Sequence, residues 1–225
     1  MDRNILVAFD FDHTICDGNT DLVVQNLLPI EISKDVHNLR KSSGWIVYMS
    51  KIFELLHENS VKSHQIANVI IGIPEVAGMQ SNSVFIDSWL RSRQLNHVVS
   101  HVFTNPARYD KDKLRVDPYH IQDTCKMSTV NLCKGQILTD YIQDKHKQGK
   151  SYERIVYVGD GRNDLCPILR LSETDLACPR KGYSLINQLN ELSTSMSTKA
   201  KIVPWEDGTD LQFRLEQFIE LPPLT

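Results

Sequence analysis

Two short acidic stretches carry the side chains best suited to chemistry: Asp10-Phe11-Asp12-His13-Thr14 and Gly159-Asp160-Gly161-Arg162-Asn163-Asp164. Asp10 and Asp12 stand two apart, so on an extended backbone both point to one face. That alternation relaxes where a strand ends, which leaves the two carboxylates different jobs. One carboxylate can act as a covalent nucleophile and take up a phosphoryl group. The other can protonate a leaving oxygen and later activate water. Asp160 and Asp164 add charge of the same sign, and like charges brought together call for a cation. Hard carboxylate oxygens suit Mg²⁺, which commonly neutralises phosphate oxygens. Lys134 falls between the two stretches, at the start of an expected helix, and lysine is a point-charge phosphate binder.

The elements that must position these residues follow from the apolar pattern. The first acidic stretch closes an expected strand over Ile5 to Phe11, and the second follows the apolar run Ile155 to Val158. Such runs suit strands buried on both faces of a parallel sheet. Ligands of open parallel sheets bind beyond the carboxyl ends of the strands, so two such strands in one sheet deliver both acidic stretches to one edge. Residues 20–28 read as a helix ended by Pro29, and three helical candidates follow at 32–40, 44–57 and 61–70. Trp45, Tyr48, Met49, Ile52, Phe53, Leu55 and Leu56 lie at helical spacing and read as the core of that helical cluster. Further on come a helix over 84–95, a strand over 97–103, a polar loop over 105–118 and a helix over 134–148. The chain closes with helices near 165–171, 182–192 and 211–219 and short strands at 176–178 and 202–203. This alternation predicts an α/β fold, Rossmann-like, with a mostly parallel sheet and a small helical cap. The expected division is a catalytic core of residues 1–29 and 74–225 interrupted by a cap of residues 30–73.

Composition narrows the function classes. The 225 residues are 41% hydrophobic and 24% charged, with a net charge of −3, which fits an ordinary globular chain. That balance gives no electrostatic reason to expect nucleic-acid or anionic-membrane binding. No apolar run approaches the length of a membrane span, and the opening residues do not read as a signal peptide. Five cysteines, at 16, 125, 133, 166 and 178, include no C-x-x-C pair. Neither a disulfide framework nor a structural zinc site is expected, and reduced thiols fit a cytoplasmic protein.

Taken together, Asp10-Phe11-Asp12-His13-Thr14-Ile15, Lys134 and Gly159-Asp160-Gly161-Arg162-Asn163-Asp164 resemble the haloacid-dehalogenase phosphatases. More narrowly, the chain resembles the PHOSPHO subfamily. Val102-Phe103-Thr104-Asn105-Pro106, Asn131-Leu132-Cys133-Lys134, Cys166-Pro167, Pro179-Arg180-Lys181-Gly182-Tyr183 and Val203-Pro204-Trp205 extend the match over nearly the whole chain. The resemblance implies a Mg²⁺-dependent phosphatase acting through an aspartyl-phosphate. Its implied roles are Asp10 as nucleophile and metal ligand and Asp12 as general acid/base, binding the metal through its backbone carbonyl. Asp160 is the third protein ligand, oriented by Asn163 and Asp164, and Lys134 holds the phosphate. Asp21 stands where relatives carry an acid facing the substrate, although a helix-dipole acid reads equally well there. The implied partner is a small phosphorylated metabolite: phosphoethanolamine, phosphocholine or pyridoxal 5′-phosphate.

One departure from that pattern bears on function. Relatives carry a helix and a strand before the segment resembling Ser81-Asn82-Ser83-Val84, and the strand ends in a phosphate-binding Ser or Thr. Here Gly78-Met79-Gln80 runs straight into Ser81, with no apolar strand between Pro74 and Ser81. Unpaired buried backbone groups along Ile5 to Phe11 would each cost roughly 1–3 kcal/mol. The expected remedy is that residues 97–103 slide in beside the first strand and bring Thr104 near the lost hydroxyl. Ser81 or Ser83 swinging in is the other remedy, although both read more readily as helix-start caps. The alternative function is a catalytically impaired variant that keeps metal or partner binding.

Overall fold

The computed structural model describes residues 4–74, 83–192 and 197–220. In chain order the elements are β1 (Ile5–Phe9), α1 (Thr20–Gln25), α2 (Lys34–Ser42), α3 (Trp45–Glu58), α4 (Ser63–Ile71), α5 (Ser83–Ser92), β2 (Ala107–Asp110), β3 (Lys113–Val116) and α6 (Lys134–Lys147). Then follow β4 (Arg154–Gly159), a single turn of 3-10 helix (Arg162–Asp164), α7 (Leu165–Ile168), β5 (Leu176–Pro179), α8 (Ser184–Asn190), β6 (Lys201–Ile202) and α9 (Gly208–Glu220). The chain forms two compact units. One comprises Met1–Asp17, Glu75–Met79 and Gln122–Thr225, the other Gly18–Pro74 and Gln80–Ile121. The expected cap, residues 30–73, falls wholly in the second unit, which also takes in 18–29 and 80–121.

The first unit is built on a parallel sheet of order β1-β4-β5-β6. Ile5 pairs with Arg154 and Phe9 with Val158, and Val156 pairs with Leu176. Successive residues point to opposite faces. Val156, Val158, Leu176 and Cys178 pack with Leu211 and Phe218 of α9, together with Ile5 and Val7. Tyr157 and Ala177 pack on the other face with Leu138, Ile168, Leu185 and Leu189 of α6, α7 and α8, together with Leu6 and Ala8. Helices therefore cover both faces, which is why β4 and β5 read as unbroken apolar runs.

The second unit is a helical cluster closed by a hairpin. Tyr48, Met49, Ile52, Phe53 and Leu56 of α3 are buried with Ile66 and Ile70 of α4 and Phe85 and Trp89 of α5. The Phe53 and Phe85 rings meet edge to face at 6.0 Å. The reading of Tyr48 and Phe53 as core side chains agrees with this placement.

Two expectations are corrected here. The polar loop expected over 105–118 holds the β2–β3 hairpin, with Tyr109 opposite Leu114. Lys111 and Asp112 both take positive φ, 49° and 63°, which gives the tight two-residue turn whose twist suits a hairpin. Its charged residues hid the period-two pattern, since only Leu114 is fully buried. A salt bridge and a hydrogen bond hold the tip to the helices: Lys113 Nζ lies 2.9 Å from Glu54 Oε1, and Ser63 Oγ donates to Asp112 Oδ1 at 2.8 Å.

The strand expected over 97–103 does not form, so it does not pair with β1. Strand propensity is a weak, context-dependent preference, so the β-branched and aromatic side chains of this run do not by themselves make a ladder. In the second unit the described strands are β2 and β3, which pair with each other. Among the described strands β1 has β4 as its only partner and stands at the sheet edge. Met79, Gln80 and Ser81 lie outside the described residues. Ser83 opens α5, where its hydroxyl accepts from the Ala107 amide at 2.7 Å and its own amide donates to the Asn105 carbonyl at 3.1 Å.

Candidate active site

The site grows from the carboxyl ends of β1 and β4. The ladder between these strands runs one residue past β1, where the Asp10 amide donates to the Val158 carbonyl at 2.8 Å. The backbone then closes into a turn in which the amides of Ile15 and Cys16 reach the Phe11 carbonyl at 3.0 and 3.4 Å. His13 takes φ 59° within it. Asp10 is fully buried and Asp12 nearly so. At the end of β4, the Asp164 carboxylate accepts from the amides of Asp160 and Gly161 at 3.1 and 2.9 Å and from the Tyr157 hydroxyl at 2.9 Å. This close approach explains Gly159. A Cβ there would lie 2.6 Å from the Asp164 carboxylate, inside contact distance.

Lys134, the first residue of α6, joins the two loops. Its ammonium forms a salt bridge with Asp10 and another with Asp164 Oδ1 at 2.9 Å. Carboxylate oxygens of Asp10, Asp160 and Asp164 all lie within 4.8 Å of one another. Burial, reinforced by the charge of Asp164 and only partly offset by Lys134, pushes the Asp10 carboxyl well above the carboxylate range. The same causes push Asp160 up to about 6. Burial works against the charge on Lys134, but Asp10 and Asp164 together hold its ammonium above the ordinary lysine value. Three carboxylates thus face one ammonium in a desolvated space.

This is an arrangement that a divalent cation completes. Among the described residues no donor reaches Asp10 Oδ2 although it is buried, and an unmatched buried carboxylate oxygen is costly. The oxygen-only donor set fits Mg²⁺. Asp10 and Asp160 offer carboxylates to such an ion. Asp164, with its oxygens engaged by Tyr157, Lys134 and two amides, holds the loop and the lysine in place.

Of the residues expected from sequence, Asp10, Asp12, Lys134, Asp160 and Asp164 all belong to the first unit, and Asn163 lies in the 3-10 turn between Asp160 and α7. Asp21 and Thr104 belong to the second unit. Asp21 lies in the first turn of α1, buried, and accepts from Trp45 Nε1 at 2.7 Å; burial pushes its carboxyl up to about 6. Thr104 follows the segment that fails to form a strand, so the pairing that was to carry it into the site is missing.

Sequence reasoning assigned no role to Arg180. Its guanidinium donates to the His13 carbonyl at 3.2 Å and the Tyr183 hydroxyl at 3.2 Å, and it stacks over Trp205 at 5.3 Å. The His13 and Tyr183 rings stand 5.3 Å apart. Arg180 thereby pins the Asp10–Asp12 loop from the end of β5. Its position one residue past a strand, like Asp10 and Asp160, was the available signal. Sequence reasoning also treated the cysteines singly, whereas Cys125, Cys133 and Cys166 converge on one another.

Comparison with known proteins accounts for these features. The family described as "Putative Phosphatase" matches residues 5–81 and 79–219. The match is in two parts that meet at 79–81, the place where the sequence departs from the pattern it resembles. Pyridoxal phosphate phosphatase PHOSPHO2 of Mus musculus is 33% identical over 244 aligned positions, covering 96% of this chain and 99% of the relative. That alignment is longer than the 225-residue chain, so the relative carries residues that this chain lacks. Human phosphoethanolamine/phosphocholine phosphatase is 28% identical, covering 96% and 89%. Among solved structures, a substrate-bound phosphoserine phosphatase superimposes with a TM-score of 0.58 at 17% identity, covering 96% and 99%. An analogue of the phospho-aspartyl intermediate of phosphoserine phosphatase gives 0.54 at 18% identity, again covering 96% and 99%. The fold is thus that of the haloacid-dehalogenase phosphatases, and the chain belongs to the phosphatase family whose model spans it.

Proposed function

We propose that this protein is a Mg²⁺-dependent phosphatase that hydrolyses small phosphomonoesters through an aspartyl-phosphate on Asp10. The observation that carries the reading is the buried set of Asp10, Lys134, Asp160 and Asp164 at the carboxyl ends of adjacent parallel strands. Names of the curated relatives support phosphomonoesters as the substrate class, with pyridoxal 5′-phosphate, phosphocholine and phosphoethanolamine as the candidates.

In this mechanism a carboxylate oxygen of Asp10 attacks phosphorus, and the bond from phosphorus to the ester oxygen breaks. Asp12 gives its proton to the departing oxygen and then takes one from the water that attacks the aspartyl-phosphate. Inorganic phosphate leaves and Asp10 is regenerated. Lys134 opposes the burial that favours the protonated form of Asp10 and offers its charge to the phosphoryl oxygens. Asp10, Asp160 and the backbone carbonyl of Asp12 would hold a Mg²⁺ ion, which would supply further neutralisation of phosphoryl charge. Asp21 is the proposed acid facing a cationic substrate group, and the helical segment 30–73 is the proposed cap. The charge balance, the absence of any membrane-length apolar helix among the described residues and the reduced thiols favour a cytoplasmic metabolite enzyme.

A second reading, an impaired variant that keeps metal binding, draws on the edge position of β1 among the described strands. Phosphate release separates the two. The wild-type protein is expected to release phosphate from at least one of the three esters. Chelation and Asp10→Asn are each expected to abolish release. Folded protein that binds Mg²⁺ and releases no phosphate would favour the impaired variant.

A further inference from the structure

Apart from the carboxylate site, a second set of ligand-type side chains converges in the first unit. Cys125 Sγ lies 3.3 Å from Cys166 Sγ, and Cys133 Sγ lies 3.7 Å from the same atom. All three sulfurs lie within 4.8 Å of one another. Thiolates at about 2.3 Å from a tetrahedral Zn²⁺ stand about 3.8 Å apart, so these sulfurs need only small shifts to share an ion.

Three separate stretches of chain supply the sulfurs: the loop before α6, the N-cap of α6 and α7. The loop is already shaped for it. Gln122 Nε2 donates to the carbonyls of Thr129 and Cys125 at 2.8 and 3.2 Å, and the Cys125 amide donates to Gln122 Oε1 at 2.8 Å. Cys133 and Cys166 are buried, while Cys125 is partly exposed. Ser128 Oγ accepts from Cys125 Sγ at 3.5 Å, placing a polar atom beside that thiol. A disulfide would use two of the three sulfurs and need an oxidant; one metal ion uses all three.

We propose that Cys125, Cys133 and Cys166 form a three-thiolate Zn²⁺ site, with water in the fourth position. The donors are soft, so the site is chemically distinct from the oxygen site built on Asp10 and selects a different ion. Its place in the chain gives it a role. Cys133 immediately precedes Lys134, and Cys166 follows Asp164 by two residues. The ion clamps together the two segments that hold the Lys134–Asp164 salt bridge.

Cobalt titration of the reduced full-length protein, kept anaerobic and saturated with Mg²⁺, tests the site without reference to activity. One equivalent of Co²⁺ is expected to produce a thiolate-to-metal charge-transfer band and tetrahedral visible bands, which one equivalent of Zn²⁺ removes. Cys125→Ser, at the partly exposed position, is expected to lose most of the charge-transfer intensity. It should also weaken Zn²⁺ binding by at least about 100-fold, the upper end for losing a mere supporting partner. Asp10→Asn is expected to keep the band. No charge-transfer band in cooperatively folded wild-type protein would overturn the site, as would an undiminished band in Cys125→Ser. Both outcomes are independent of whether the carboxylate site turns over phosphomonoesters.

Discussion

Asp160 and Asp21 both have carboxyls pushed up to about 6, but with different consequences. For Asp160 the raised value bears on the cation. Mg²⁺ binds the ionised form and must displace a proton once the pH falls below about 6. Mg²⁺ affinity, followed by calorimetry, is expected to be higher at pH 8 than at pH 6. It should then drop by about tenfold or more per pH unit below 6, since Asp10 is also held high. For Asp21 the raised value bears on stability. Its folded carboxyl holds a proton that the unfolded chain, near 3.8, has already released. The favourable contribution is therefore full below about 4 and is lost as the pH rises through 6. Asp21→Asn keeps an oxygen for Trp45 Nε1 and carries no charge. It is expected to raise unfolding stability at pH 7.5 by about 1–3 kcal/mol and to change little at pH 4, as urea denaturation at the two pH values will show. If Asp21 also faces a cationic substrate group, the same variant raises KM.

At the scale of elements, strand ends explain both what was legible in the sequence and what was not. Asp10, Asp12, Asp160 and Asp164 were readable because each follows an apolar run that forms a strand where expected. Helices α3, α4, α6 and α9 were readable from apolar spacing. The β2–β3 hairpin was not, because its charged faces carry one buried apolar side chain and its turn uses Lys and Asp rather than Gly. Residues 97–103 misled in the opposite sense. Val98, Val102 and Phe103 have strand-forming side chains, yet in the structure they are exposed and form no ladder. The roles of Arg180 and of the cysteine cluster depend on contacts between distant segments, which single-chain spacing does not encode.

Two substitutions test element positions. Gly159→Ala places a methyl against Asp164. It is expected to cost about 1–3 kcal/mol and to lower kcat by disturbing the Lys134 salt bridge. Ser83→Ala removes the acceptor for the Ala107 amide and is expected to cost about 1 kcal/mol with kcat unchanged. A large fall in kcat would instead place the Ser83 hydroxyl at the phosphate.

For the whole molecule, a parallel sheet with helices on both faces delivers four buried acids and one lysine to the ends of adjacent strands. The family match over both sides of residues 79–81 shows that the flanking sequence has kept the pattern of its relatives. Under the proposed function this constellation transfers a phosphoryl group to Asp10. Rapid acid quench with phosphoryl-labelled pyridoxal 5′-phosphate, phosphocholine or phosphoethanolamine, followed by peptide mapping, tests it most directly. Mg²⁺-dependent label is expected on the peptide carrying Asp10, lost on treatment with hydroxylamine and absent from Asp10→Asn. Turnover of any of these esters with label on another residue, or with Asp10→Asn fully active, would contradict it.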